Sequence, residues 1–320
     1  MVRMGRAASV LAGAALTAFL VSGGVPASFA DGFPTTCARF LSAPRAEAAE
    51  NDWVWIRSDQ KYGKFYAPSN VQIKSQINGV ATCITAWIKT TYTPGGAQET
   101  IDNYGIAKQI PDAKMLSYSL ARVEVFPQER KICYVQENFY DATEKVIWSR
   151  VYEPPKEYEI NSQSFEEDYY VALVDQVFRH GERERKDAQD RWILLWKSEG
   201  AGNIVTEAMA DTTTMRITND MLVYWEWQET KNAQGSVLEA KFMKKSLDHA
   251  KGAERIVRGQ IWSPEKEWQD MDITGRYAPI PEGSAAYPGL VRLRAWVKGY
   301  SFWLNRYRTD VPQTSGAKKA

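Results

Sequence analysis

The sequence predicts an α+β chain, predominantly antiparallel β, in two tandem domains. Each domain is expected to be a curled antiparallel sheet of about six strands with one C-terminal helix packed on it. Three observations lead there. Hydrophobic residues alternate with period two through 80–92, 115–126, 130–140 and 145–152, the mark of strands, with Gly, Pro, Asp or charged turns between them. Connections that short force antiparallel pairing, because a parallel pair needs a longer crossover. The same features then recur in the second half of the chain.

The recurrence is an ordered series of weak echoes. Asp52-Trp53-Val54-Trp55-Ile56 is echoed by Arg191-Trp192-Ile193-Leu194-Leu195, and Ser69-Asn70-Val71-Gln72-Ile73 by Thr213-Thr214-Met215-Arg216-Ile217. Thr85-Ala86-Trp87-Ile88-Lys89 is set against Trp225-Glu226-Trp227-Gln228-Glu229, and Tyr152-Glu153-Pro154 against Tyr277-Ala278-Pro279. The chain therefore divides into residues 1–30, an N-terminal segment 31–50, a first domain 51–179, a charged linker 180–189, a second domain 190–308 and a polar tail 309–320. Each domain is expected to fold when expressed alone. The first copy carries an insertion, 91–114, with a helical stretch at 98–106, where the second copy turns around Lys231 and Gly235. An insertion of that length is either an exposed loop or a functional one.

Ser164-Phe165-Glu166-Glu167 predicts a capping box at the start of the first helix. Phe165, Tyr169, Leu173 and Val177, with Tyr170, Val174 and Phe178 beside them, form its apolar stripe. In the second copy Pro288-Gly289 delays the equivalent helix, which turns Leu290, Leu293 and Val297 inward. The run Arg179-His180-Gly181-Glu182-Arg183-Glu184-Arg185-Lys186-Asp187 reads as a solvated hinge, flexible or helical, laced by pairs such as Glu182 with Lys186.

Residues 1–30 have the parts of a secretory signal peptide: Arg3 and Arg6, a small and apolar run from 7 to 21, helix-breaking Gly23, Gly24 and Pro26, and Ser28-Phe29-Ala30 for cleavage after Ala30. The apolar run is shorter than the roughly 20 residues of a membrane span, and Leu11-Ala12-Gly13 precedes Ala14 rather than a lipobox cysteine. The expectation is a periplasmic, secreted or cell-surface protein that is not integral to a membrane. Of 40 Lys and Arg, only Arg3 and Arg6 lie in this segment, so the remainder nearly balances 39 Asp and Glu. A chain that neutral does not resemble a nucleic-acid binder. Cys37, Cys83 and Cys133 allow at most one internal bridge, and the spacing does not select the pair.

Catalytic and cofactor patterns are sparse. His180 and His249 are the two histidines, too few and too separated for a histidine-rich metal site or a triad. Ser58-Asp59-Gln60-Lys61 fits S-x-x-K without its companion triplets, so a turn is the better reading. Asp270-Met271-Asp272 places two carboxylates on one strand side, as a solvated edge or a divalent-ion pair. No cofactor and no metal site are expected. The aromatics carry more information. Trp53 with Trp55, and Trp225 with Trp227, share strand faces and are expected in cores, whereas Trp262 and Trp268 flank a hairpin loop and are candidate binding residues.

The order of these features resembles the surface-adhesin protein E family. The resemblance is carried by Trp53-Val54-Trp55-Ile56, Tyr66-Ala67-Pro68-Ser69-Asn70-Val71, Trp87-Ile88-Lys89, the strands 121–126 and 130–140, and Pro279-Ile280-Pro281-Glu282-Gly283-Ser284 before the last helix. It covers both copies. The paired cysteines such domains commonly carry are absent, their places falling near Phe126-Pro127 and Phe178. The resemblance implies a curled antiparallel sheet with a packed helix and a role in adhesion to host proteins. Taken with the export signal and the sparse catalytic patterns, the expectation is an exported non-enzymatic binding protein recognising extracellular-matrix or envelope proteins. A structural envelope protein or an exported hydrolase are the other readings, and the oligomeric state is open.

Overall fold

The computed structural model describes residues 52–310. The signal-peptide segment, the 31–50 segment, Cys37 and all of the tail beyond Asp310 lie outside the described residues. The chain forms two antiparallel sheets of seven strands each, one strand more than expected in each. The first sheet comprises β1 (Val54–Ser58), β2 (Tyr62–Tyr66), β3 (Gln72–Ile77), β4 (Val80–Tyr92), β5 (Tyr118–Phe126), β6 (Lys131–Tyr140) and β7 (Val146–Glu159). They lie in the order β1-β2-β4-β5-β6-β7, with β3 continuing the line of β2 along β4. Helix α1 (Pro94–Tyr104) follows β4, and α2 (Glu167–Phe178) and α3 (Glu182–Asp187) follow β7.

The second sheet comprises β8 (Trp192–Gly200), β9 (Ile204–Thr218), β10 (Met221–Lys231), β11 (Val237–Asp248), β12 (Ala253–Ser263), β13 (Glu267–Asp270) and β14 (Ala278–Pro279), closed by α4 (Tyr287–Gly299) and α5 (Ser301–Leu304). The repeat is visible in the registers. Strand β9 pairs along β10 in two stretches broken at 212–215, just as β2 and β3 pair along β4 on either side of 67–71. Ile73 faces Ile84 where Ile217 faces Leu222, which sets Trp87, not Thr85, opposite Trp225 in the correspondence.

Each sheet buries one face under its helix. Tyr169, Tyr170, Val171, Leu173 and Val174 of α2 pack on Ile84, Ala86, Ile88, Ala121, Val123 and Val125. Leu290, Leu293 and Trp296 of α4 pack on Leu195, Ala208, Ala210, Leu222 and Leu247, with Val297 alongside. The insertion is not a loose loop. Its helix begins at Pro94, where Thr93 Oγ1 accepts the Gly96 amide, and Ile101, Ile106, Ile110 and Leu116 bury themselves against Phe139 of the same sheet face. A second small core thus sits beside the one under α2.

The expected capping box is not formed. Glu166 stands at the cap position without a side-chain hydrogen bond, and Ser164 Oγ instead accepts the Asn161 amide and donates to the Glu159 carbonyl. Glu167 is turned inward, where its carboxylate takes a two-pronged contact from Arg191 of the second half at 2.7 and 3.3 Å. Arg191 also bonds Asp211, which is fully buried. The partner available across the seam outcompetes the local cap.

The charged linker also departs from expectation. Its helix forms, with Asp175 of α2 accepting the Glu182 and Arg183 amides, but Glu182 is 0% exposed. Arg306 Nε and the Tyr307 hydroxyl each donate to Glu182 Oε1 at 2.6 Å, and Arg130 lies 3.5 Å from Oε2. Arg130 and Arg306 also donate to the Thr213 carbonyl, and Arg306 to that of Met215, both in the break of β9. Lys186 pairs with Asp168, not Glu182. The predicted hinge is therefore the buried joint between the halves. Tyr307 belongs to the first core although it lies beyond the second sheet, which weighs against the expectation that each half folds alone.

Cys83 and Cys133 are free and buried. They lie on β4 and β6, the two neighbours of β5, so about two strand spacings, ~9.6 Å, separate them, beyond the reach of a disulfide.

Two outcomes follow for measurement. Removing one partner of a buried ion pair strands the others, at a cost of about 3–5 kcal/mol. Urea titration of Glu182→Gln should show a loss of that size in a single transition; an unchanged midpoint would contradict the burial of the joint. Burial pushes the Cys83 and Cys133 thiols up to about 11. Both should therefore react with iodoacetamide about 100-fold more slowly in the folded chain than in urea, read by peptide mass spectrometry. Rapid labelling of either would count against it.

Candidate functional site

Two surfaces stand out, one on each sheet. On the second sheet, the face away from α4 is an aromatic ladder. Its first row is Trp192, Asp211, Trp225, Lys244 and Arg258; its second is Met209, Trp227, Phe242, Gln260 and Asp270; its third is Glu207, Glu229, Ala240, Trp262 and Trp268. Alternate residues of a strand share a side, so three β10 positions, 225, 227 and 229, step from one row to the next. Trp225 stacks on Phe242 with centroids 4.5 Å apart, and Trp227 leans on Trp268 at 5.8 Å. Trp225 and Trp227 are buried; Trp192, Met209, Trp262 and Trp268 are half-buried around them.

The first row is occupied by the other half of the molecule. Glu159 of β7 receives Lys244 at 2.6 Å and Arg258 at 3.6 Å, and the Arg258 guanidinium lies over Trp225. These cations outweigh burial and hold the Glu159 carboxyl below its ordinary range. The third row is open. It runs into a cleft of about 460 Å³ lined by Val205, Glu207, Glu229, Lys231 and Asn232, within the size of ligand sites, about 300–1,000 Å³. Trp262 and Trp268 are thus brought together as a direct cross-strand pair on the open part of this face.

The other sequence candidates disperse. Trp55, expected in a core, is 55% exposed and lines a smaller cleft with Arg57, Arg183 and Lys186. His180 stacks on Phe178 and touches Phe302 and Tyr307, and burial together with Arg306 lowers its basicity. His249 offers only its carbonyl, to Arg294. Ser58 accepts the Trp55 indole N–H while Lys61 pairs with Glu99, so the S-x-x-K residues serve different partners. Asp270 accepts Gln260, and no three His, Cys, Asp or Glu among the described residues are grouped to hold a metal.

The second surface was missed in the sequence. On the helix-covered face of the first sheet, Glu137 sits between the small core of α1 and the core of α2. It is 4% exposed, and the hydroxyls of Tyr104, the last residue of α1, and Tyr152 both donate to Oε2 at 2.8 and 3.0 Å. Burial pushes this carboxyl up to about 7, although both hydroxyls and Lys156 pull it down. Edge strand β7 forms the mouth. The Lys156 ammonium lies 5.3 Å from the Tyr104 ring centre and 5.0 Å from that of Tyr158, and Arg150 lies over Tyr152. Glu166, also buried, faces the same group from the start of α2.

The second copy has no such site. The row Ile88, Ala121, Glu137 of the first sheet corresponds to Glu226, Met243, Gly259 of the second. There the buried acid is Glu226, paired with Lys245 at 3.0 Å, and the Met271 sulfur occupies the space beside Gly259. The insertion supplies Tyr104, so the feature singled out in the sequence as long for a compact domain builds one wall of this site.

Comparison with protein-family models, with curated proteins and with solved structures returned no match. The resemblance to the surface-adhesin protein E family therefore rests on the motifs alone.

A carboxyl with a raised folded pKa binds protons more tightly in the folded than in the unfolded chain. Its contribution is thus present at low pH and is lost as pH rises from about 4.5 to about 7. Glu137→Gln removes that loss. Relative to the parent chain, the variant should gain up to about 3 kcal/mol between the two ends of this window, measured by urea titration across pH. A difference that stays flat would show that Glu137 titrates normally.

Proposed function

We propose that this chain is an exported, non-enzymatic binding protein, adhesin-like in use, that presents the open rows of the second sheet to an extracellular or envelope protein. The observation that carries this reading is the cross-strand pair Trp262–Trp268 on a platform of buried Trp227 and Phe242, beside an open cleft. Tryptophan anchors supported from beneath and surrounded by polar groups are where interface energy concentrates. The rim here is polar, with Glu207, Glu229 and Lys231. Export follows from the reading of residues 1–30 as a signal peptide cleaved after Ala30. Among the described residues no helix is long and apolar enough to cross a membrane.

The test is capture of matrix and envelope proteins by residues 31–320, followed by titration with each purified captured protein. The double variant Trp262→Ala, Trp268→Ala should weaken that binding at least about 100-fold, two interface anchors being lost, while its circular dichroism matches the parent. Undiminished binding by the double variant would remove this face from the function. Failure to enrich any protein from either mixture would count against this reading and against a structural envelope role alike.

A further inference from the structure

The mouth of the Glu137 site already holds an ammonium group, its own. Lys156 is exposed, yet its Nζ lies over the faces of Tyr104 and Tyr158. Ring faces carry negative electrostatic potential and attract cations, most strongly where water is excluded. Behind the rings stands Glu137, whose Oε2 takes both tyrosine hydroxyls and whose Oε1 has no hydrogen-bond partner among the described residues. Lys156 reaches this place from the edge strand β7, has no salt bridge among the described residues, and can swing out to water by side-chain rotation alone.

We propose that Tyr104, Tyr152 and Tyr158 with Glu137 form a binding site for a ligand's alkylammonium group, which the Lys156 ammonium occupies when no ligand is bound. The walls come from three elements: Tyr104 ends α1, Tyr152 and Tyr158 flank Lys156 on β7, and Glu137 lies on β6. Tyr134 packs edge-on against Tyr158 at 5.6 Å and fixes its ring. The second copy lacks the α1 wall and has glycine at the carboxylate position, so the site exists once per chain. This assignment is independent of the tryptophan face and of any protein partner.

Binding depends on pH because the carboxylate must be ionised to attract the cation. The groups facing it are Tyr104 from α1, Tyr92 from β4, Tyr134 from β6, Arg150, Tyr152, Lys156 and Tyr158 from β7, and Glu166 at the start of α2; Arg150 stays charged throughout and adds no step of its own. Of these, the tyrosines have their hydroxyls raised by burial and stay neutral near pH 7, whereas burial raises the Glu166 carboxyl as it does that of Glu137, so the Glu137→Gln comparison isolates the part that Glu137 carries.

The test uses choline and n-butylammonium as probes on residues 31–320, by isothermal calorimetry. Lys156→Ala vacates the site and should bind at least one probe about tenfold more tightly than the parent chain. Adding Glu137→Gln to that variant should abolish the gain, and raising the pH from about 6 to about 8 should tighten binding only where Glu137 is retained. Equal affinity with and without Lys156, or with and without Glu137, would overturn the proposal. Since Lys156 is exposed, its truncation leaves the cores intact. Should that variant misfold, the pH dependence of probe binding to the parent chain, against Glu137→Gln alone, decides the question. Absent or pH-independent binding there would also overturn it.

Discussion

Glu182 is a carboxylate with no access to water, and the arrangement of the two sheets follows from what it requires. Burial alone raises its pKa, but Arg306 and Arg130 outweigh that and hold it below its ordinary range. The charge is thus kept, and kept by arginines from opposite halves of the chain. Arg130 Nε and Nη1 and Arg306 Nη1 and Nη2 are directed to the carbonyls of Ile160, Thr213, Met215 and Trp303. A buried charge of this kind fixes one geometry, since any sliding of the sheets would strand an ion in a medium that solvates it poorly. A hydrophobic seam of equal area would tolerate such sliding.

The expected strand number fell one short in each sheet, but the antiparallel sheets, the tandem organisation and the inward faces of both long helices were legible, because period and apolar stripe are properties of local sequence. The registers bear this out in detail: the echo of Ser69–Ile73 in Thr213–Ile217 marks the same break beside the central strand pair. What local sequence misjudged were charged residues whose partners lie far along the chain. Ser164 to Glu167 has every residue of a capping box, yet Glu167 is drawn to Arg191. Glu182 has Lys186 one turn away, yet Arg306 is its partner, from a segment 124 residues on. Charge patterns report a solvated surface only where no distant opposite charge is folded against them.

The candidate sites divide in the same way. Trp262 and Trp268 were legible as a pair around a turn, and the structure sets them directly opposite each other. Glu137 was one of 39 acids with no spacing to mark it. Its neighbours come from β4, α1, β6, β7 and the start of α2, and no sequence window contains them together. The one local sign of it is the insertion, long for a compact domain, whose helix ends in Tyr104. The two copies thus diverged at one row: each keeps a single buried glutamate, one neutralised by lysine and the other surrounded by phenols.

The place of Tyr307 bears on how the molecule comes into being. Its ring sits in the core under α2, its hydroxyl completes the shell of Glu182, and its carbonyl accepts Gln128 of the β5–β6 turn. The half of the chain that is synthesised first is thus finished by a residue that is synthesised well after it. During N-to-C emergence, the first sheet waits with a charged residue and an apolar groove unfilled until some 130 further residues have followed. The order of synthesis and the order of completion run in opposite directions. A chain carried across a membrane before it folds avoids that delay, since both halves are then present when folding starts.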